Sequence, residues 1–482
     1  MNDNYEKEGE LPPVPDVERV PNLMRLGEIS SDMAQNVSTD VIEPSVFSQS
    51  FCRFTLDRRV GFLHSNSKIT LSLIPNSNAT VNYFPLHIGV GSLIQNARLL
   101  IGQKVVSSVE DFAHFHAYQS MFLTNENNKE REQYLSQRMI AHRQLPVAAD
   151  IMKDPLKAET IALDTGLNID NPLGTPANLE QKLQQFQIIK GQTADEITES
   201  PIYSIYLSDI FPMLREYSLP AFMISEPIFV ELTWQPGTTT LAGGINSLRH
   251  CVDEGSALIN ESLDIDPNEI RMIYDSISYD GEIMRQYAEQ NRSLSFQYKE
   301  YNLAKRTGDR DEFTNLVFPI GGNGMLCSKV IFGLTPNAKY LAKSLLNGFV
   351  STAPNTTHNL TTNLLYNDRY EFTVDRDNQA LQFSTTQQSE GMVPMICRAE
   401  YCNEADSELT VGTLEGNEQK DGLKRNFCWN SIRLNRGQRI NTKGIDLIYK
   451  TTLSAGDYTL RAWVEHLKVA TIKDGEFTCY NA

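Results

Sequence analysis

The sequence predicts an all-β protein built from two β-sandwich halves in tandem, with a few short helices inserted in loops. Three observations carry that prediction. Short segments with an apolar residue at every second position recur from residue 46 to the C-terminus, which is the period of a half-buried strand. Gly, Pro and Asn punctuate these segments where turns are needed. The 482 residues also exceed what one core holds, and an acidic stretch without aromatic residues at 256–266 marks a break. The expected division is an arm over 1–45, a first half over 46–237, a linker over 238–268 and a second half over 269–482.

In the arm, Pro12, Pro13 and Pro15 stand among acidic residues without apolar periodicity, so no core is expected there. It reads equally as a disordered tail or as an arm ordered by packing on neighbouring subunits. Strands then begin. Ile69, Leu71 and Leu73 alternate, and Pro75 and Asn76 end the run. Ile94, Leu99 and Ile101 lead to Gly102 and Gln103, which turn the chain into Val105 and Val106 as a hairpin. Phe112, Phe115, Tyr118 and Phe122 then recur at helical spacing, and a second helical pattern runs over 130–145. Residues 146–200, with Pro146, Pro155, Pro172 and Pro176, form a long excursion of the kind that serves interfaces. Alternation returns at 202–207 and over 219–234, where Ile228, Val230 and Leu232 share one face.

The second half repeats this habit. The segment 270–289 reads as β structure, and Leu294, Phe296 and Tyr298 alternate after it. Gly321, Gly322 and Gly324 lie between strand-like runs at 316–320 and 329–334. A phosphate-cradling loop needs a helix after its glycines; a strand follows here, so a hairpin turn is expected. Ile445, Leu447 and Tyr449 alternate near the end, as do Tyr458, Leu460, Ala462 and Val464. So many amphipathic strands are buried most simply by packing sheet on sheet.

Charge and composition exclude several functions. The formal net charge is −17, a surface that repels phosphate and argues against direct binding of DNA. Seven cysteines at irregular spacings argue against a disulfide framework. Cys397 and Cys402 lack a second Cys/His pair for zinc. His114 and His116 flank Phe115 and would point to different faces of a helix, which argues against a shared metal. The run from Asp264 to Asn268 starts like a calcium loop, but Glu269 stands where Gly is required and Asp275 where a bidentate Glu is. Asp375 to Asn378 reads as a solvated turn. The first residues carry no signal-peptide pattern, and no apolar run is long enough to span a membrane. No nucleophile elbow, zinc-protease or phosphate-loop motif occurs. No catalytic, cofactor-binding or metal-binding residue is therefore expected. Trp234, Trp429 and Trp463 each sit in or beside an expected strand and read as core.

Several segments, taken in order, resemble a family. They are Gly91–Gly102 with the helix at 111–122, then Tyr217–Leu232, in which Leu219 and Pro220 lead into the last strand of the first half. Next come Tyr274, Ile277, Tyr279, Asp280, Glu282 and Arg285, and then Phe318 and Pro319. Together they resemble the double jelly-roll major capsid proteins of tailless double-stranded DNA viruses, such as large algal DNA viruses, virophages and polinton-like viruses. The likeness covers most of 47–334 and weakens beyond. One departure is that Ile283 and Met284 separate Glu282 from Arg285, a pair usually adjacent in that family.

The resemblance implies two jelly rolls side by side and a structural, non-enzymatic chain of the virion capsid. Such a chain forms a homotrimer, a pseudo-hexagonal capsomer that tiles an icosahedral shell around a double-stranded DNA genome. Its implied partners are neighbouring capsomers and minor capsid, penton or cement proteins. An internal membrane could lie nearby without insertion, and assembly would occur in the host cytoplasm or nucleus. The competing expectation is a carbohydrate-binding or hydrolytic β-sandwich, which calls for an aromatic-lined cleft.

Overall fold

In a computed structural model the described residues are 36–56, 61–74, 82–83, 89–116, 202–235, 240–241, 244–245, 251–252, 264–313, 315–322, 324–336, 352–353, 362–363, 369–374, 377–384, 429–433, 440–442, 444–450 and 457–482. The first half contains strands β1 (Asn36–Ile42), β2 (Val46–Phe47), β3 (Phe51–Leu56), β4 (Phe62–Leu63), β5 (Lys68–Leu71), β6 (Asn82–Tyr83), β7 (Ile94–Ile101), β8 (Lys104–Val109), β9 (Tyr203–Tyr206) and β10 (Ile228–Trp234). Next come the short β11 (Thr240–Leu241), β12 (Gly244–Ile245) and β13 (Cys251–Val252), then β14 (Arg271–Ser278). One sheet has the order β1-β14-β5-β9, with β4 also on β14; the other has the order β2-β3-β10-β7-β8. Strand alternation builds the core between them. Cys52, Phe54 and Leu56 on β3, Ala97, Leu99 and Ile101 on β7, and Ile228, Val230 and Leu232 on β10 are all buried.

Strand β14 corrects one expectation. The segment from Ile270 was expected to open the second half. Instead Arg271–Ile273 pair with β5 and Met272–Ser278 pair with β1, inside a sheet of the first half. The arm is partly ordered for the same reason. Asn36–Ile42 lies along β14, where Thr39 Oγ1 donates to Asp275 Oδ1 at 2.6 Å and the Ser38 and Ser276 hydroxyls meet at 2.7 Å. Residues 1–35 lie outside the described residues.

Gly61 fixes how closely β4 approaches β14, since a Cβ there would run into the Ile277 carbonyl. Gly61→Ala is therefore expected to cost about 1–3 kcal/mol of stability, measured by urea unfolding.

The segment after β14 is also corrected. Gly281–Gln290 is an α-helix, not a strand. The Asp280 side chain accepts from the Glu282 amide at 2.9 Å and caps it. Arg285 pairs with Glu282 one turn back at 2.8 Å. The two residues between Glu282 and Arg285 thus bring the pair together by helical spacing. Tyr287 on this helix meets Phe62 edge-on, with ring centroids 5.6 Å apart.

The second half contains β15 (Ser293–Asp309), β16 (Leu316–Gly321), β17 (Met325–Pro336), β18 (Thr352–Ala353), β19 (Thr362–Asn363), β20 (Arg369–Val374), β21 (Asp377–Ser384), β22 (Trp429–Arg433), β23 (Ile440–Thr442), β24 (Ile445–Lys450), β25 (Asp457–Lys473) and β26 (Glu476–Asn481). Its sheets run β15-β25-β17-β22, joined by β23 and β26, and β16-β24-β20-β21.

The glycine segment at 321–324 joins β16 to β17, which belong to different sheets, so it is a crossover and not the expected hairpin. Gly321, Gly322 and Gly324 have φ of 94°, 92° and 68°. Side-chain-bearing residues rarely adopt that conformation, and it swings the chain from one sheet to the other. The hairpin at Gly102 is as expected, with φ 60° between β7 and β8.

Within Asp264–Asn268, Ile265 bridges to Leu73, and Asp266 Oδ1 accepts from the Asn268 amide at 2.9 Å as the chain turns at 267–269. Residues 112–116 are helical. The rest of that expected helix, the pattern at 130–145, the excursion at 146–200, Cys397 and Cys402 lie outside the described residues, as do Asp375 and Arg376 of the other acidic turn.

Candidate functional site

The most elaborate side-chain chemistry lies where the two halves meet. Strand β8 is the edge of its sheet, and an edge leaves backbone groups that must be covered. The long ribbon of β15 and β25, paired over all 17 residues of each strand, lies against it. Leu294, Phe296 and Tyr298 of β15, with Trp463, Ala470 and Ile472 of β25, join the same apolar cluster as Val106, Phe112 and Phe115 of the first half. Phe115 stands 4.7 Å from Tyr301 and 5.6 Å from Trp463, centroid to centroid, and Tyr217 stands 5.2 Å from Phe296. The halves therefore share one core, while a second cluster, including Phe332, Leu447 and Val464, fills the far half alone.

Polar groups fix the register of this seam at three places. The first is Asp111. Its φ is 50°, a conformation that Asp tolerates better than most residues, and its amide donates to Asn96 Oδ1 at 3.1 Å. Arg461 Nε of β25 donates to Asp111 Oδ2 at 2.8 Å, and Lys305 Nζ of β15 lies 3.0 Å from the same oxygen. Burial opposes the charge on Asp111, but Arg461 and Lys305 outweigh it and hold the carboxyl well below the usual range. Beside it, burial and then Arg461 push the His114 imidazole well down, which keeps it neutral. Trp463 Nε1 donates to the Glu110 carbonyl at 3.3 Å.

The second place is Glu300, 2% exposed on β15. Its carboxyl accepts from Ser107 Oγ at 2.6 Å and from the Ser108 amide at 3.0 Å across the seam. Burial pushes it up to about 7, against the pull of Lys468 and these two donors. A bulge makes the geometry possible. Leu99 pairs with Ser107 and Leu100 with Val105, so Val106 has no partner on β7. Its carbonyl accepts instead from Tyr298 Oη at 2.7 Å and from Lys468 Nζ at 3.4 Å.

The third place is the tip of the β25–β26 hairpin. Gly475 has φ 87°, and its carbonyl accepts from the Ser225 amide at 2.9 Å. The Phe477 amide donates to Glu226 Oε2 at 3.0 Å, and Lys104 Nζ donates to the Phe477 carbonyl at 2.5 Å. Within the second half, midway along β25, Glu465 accepts from Ser328 Oγ at 2.6 Å and Tyr301 Oη at 2.8 Å. Burial would raise its carboxyl, but Lys329, Lys299 and these donors hold it below the usual range.

This arrangement joins the two sandwiches through a shared core and buried polar contacts. Of the residues weighed from sequence, His114 lies at the seam, and His116 stacks on Phe112 at 5.2 Å. Trp234 and Trp463 are buried as expected. Among the described residues, no group of three or more His, Cys, Asp or Glu is placed to hold a metal ion. No helix among them is long and apolar enough to cross a membrane. An open groove of about 730 Å³ runs beside Asp40, Glu43 and Arg271; its one aromatic lining residue, Tyr274, is buried.

Sequence reading missed Asp111, Glu300, Lys305 and Arg461. A signal was present: Glu300 continues the inward parity of Leu294, Phe296 and Tyr298, and a charge on an apolar face needs a buried partner.

No protein-family model and no curated protein matches this sequence. Solved structures do match. The Sputnik virophage structure is 10% identical with a TM-score of 0.52, over 98% of this chain and 93% of that one. The capsid of virus PBCV-1 is 11% identical with a TM-score of 0.51, over 93% and 97%. The Faustovirus major capsid protein is 9% identical with a TM-score of 0.51, over 96% and 94%. The fold is that of a double jelly-roll viral major capsid protein. Nearly the full length of both chains takes part, so the capsid-protein fold accounts for both sandwiches. At such identity the likeness is one of architecture.

Proposed function

We propose that this chain is a structural subunit of a viral capsid and not an enzyme. Three copies would form a pseudo-hexagonal capsomer of six similar barrels, and such capsomers would tile an icosahedral shell around a double-stranded DNA genome. The observation that carries this reading is the match of fold over more than nine-tenths of both chains to the solved capsid structures. The seam supports it, because a shared core and the buried Arg461–Asp111 pair tie the two barrels into one body, as a tile requires. The net charge of −17 also supports it, since it keeps contact with the packaged genome weak and unassembled subunits soluble. Neighbouring capsomers and minor capsid, penton or cement proteins would be the partners, and the virion the location.

The division into barrels follows the sheets. The first jelly roll would run through β14 and the second from β15, with the helix Gly281–Gln290 between them.

Light scattering on the purified chain, followed by negative-stain images of the same peak, tests the reading. The expected result is a stable trimer of about 163 kDa, three times the 54.4 kDa chain, with a hexagonal outline. A compact monomer without that outline would overturn it and direct attention to a glycan-binding sandwich.

A further inference from the structure

We infer that Glu300 is a proton-operated latch between the two halves, closed when its carboxyl is protonated and loosened when it is ionised. The inference stands on the seam alone and does not depend on the shell reading. Glu300 belongs to β15 of the second half, yet its hydrogen-bonding partners, the Ser107 hydroxyl and the Ser108 amide, belong to β8 of the first. It is buried among Tyr298 and the bulged Val106, so water does not help to carry a charge there. The protonated carboxyl satisfies both contacts. Its O–H donates to Ser107 Oγ, whose hydroxyl rotates to accept, and its other oxygen accepts from the Ser108 amide.

The charged and titratable groups around it are Lys468 and His466 on β25, Tyr298 on its own strand and Cys479 on β26, and Lys104 on β8 acts in turn on Cys479. His466 stands opposite Glu300 in the strand register, and burial keeps it below its ordinary value. Lys468 favours the ionised carboxyl but spends its hydrogen bond on Val106.

The sign follows from linkage. The closed seam binds the Glu300 proton up to about pH 7, whereas an opened seam releases it near the ordinary 4.5. Closure is thus fully favoured below pH 4.5 and weakens as pH rises towards 7. His114, kept neutral by burial, acts in the opposite sense below its ordinary 6.5. Glu300→Gln leaves that contribution in place, so it drops out of the comparison.

Hydrogen exchange of peptides covering 104–109 and 294–303, corrected for intrinsic rate, tests the latch in the full chain between pH 5 and 8. The ratio of seam opening in the parent to that in Glu300→Gln, which cancels the contributions of His114 and His466, is expected to rise by up to about tenfold per pH unit until pH 7 and then level off. Glu300→Gln alone is expected to show no rise over this range. An equal rise in both proteins would overturn the inference. Should Glu300→Gln fail to fold, Lys468→Met removes a charge that favours the ionised form without removing a hydrogen-bonding partner of Glu300. The levelling point is then expected to move to higher pH, and an unmoved point would overturn the inference as well.

Discussion

Replacing Arg461 by methionine is expected to cost about 3–5 kcal/mol of folding stability. Methionine keeps most of the side-chain volume, so the loss reports charge and not a cavity. Arg461 is 4% exposed, and its guanidinium meets the Asp111 carboxylate at 2.8 Å. Without it, Asp111 keeps only Lys305, whose side chain is 45% exposed and shared with water. A carboxylate left in a shared core with one half-solvated partner is an uncompensated buried charge. The pair itself contributes far less than its removal costs, because both ions gave up hydration to form it. Asp111→Asn combined with Arg461→Met is therefore expected to recover much of the loss, since asparagine still tolerates a φ of 50°. Urea unfolding of the parent, both single variants and the double variant closes the cycle. Strictly additive losses would show that the two residues do not act as a pair.

The legible part of this molecule was its strand content. Alternation in β5, β7 and β10 follows directly from one face packing on a core, and each of these strands stands where the pattern placed it. Partnership was not legible. Strand β14 has the same alternation whether it pairs with β1 and β5 or opens a new barrel, because period two specifies a face and not a neighbour. The helix at Gly281–Gln290 was misread although Asp280 provides an N-cap signal, since Tyr274, Ile277 and Tyr279 before it made a longer strand plausible. The glycines at 321–324 signalled a reversal but not its destination, which depends on sheets completed by strands from 369 onward. The seam needed three dimensions throughout. Asp111 and Arg461 lie 350 residues apart in sequence, and nothing local links them.

Trp463→Ala is expected to cost a similar amount, about 3–5 kcal/mol, through a different cause. The indole is fully buried beside Phe115, and it belongs to the apolar cluster that the two halves share. Truncation leaves a cavity at the junction and also removes the donor to the Glu110 carbonyl. Strands β15 and β17 flank β25 at this point, with Leu303 and Ile331 opposite Trp463. Paired strands on both sides resist the collapse that would refill the space, so the cost belongs at the upper end of the range. Trp463→Phe separates the two contributions, because it restores most of the apolar volume but not the N–H donor. It is expected to lose less than half as much as alanine in urea unfolding. If phenylalanine proved as damaging as alanine, the hydrogen bond to Glu110 and not the shared core would be what Trp463 supplies to the seam. Because Arg461 stands two residues away on the same strand and binds Asp111, next to Glu110, the Arg461 and Trp463 variants are expected to couple and not to add. That coupling would mark the seam as one cooperative unit, the physical condition for two barrels to move and assemble as a single body.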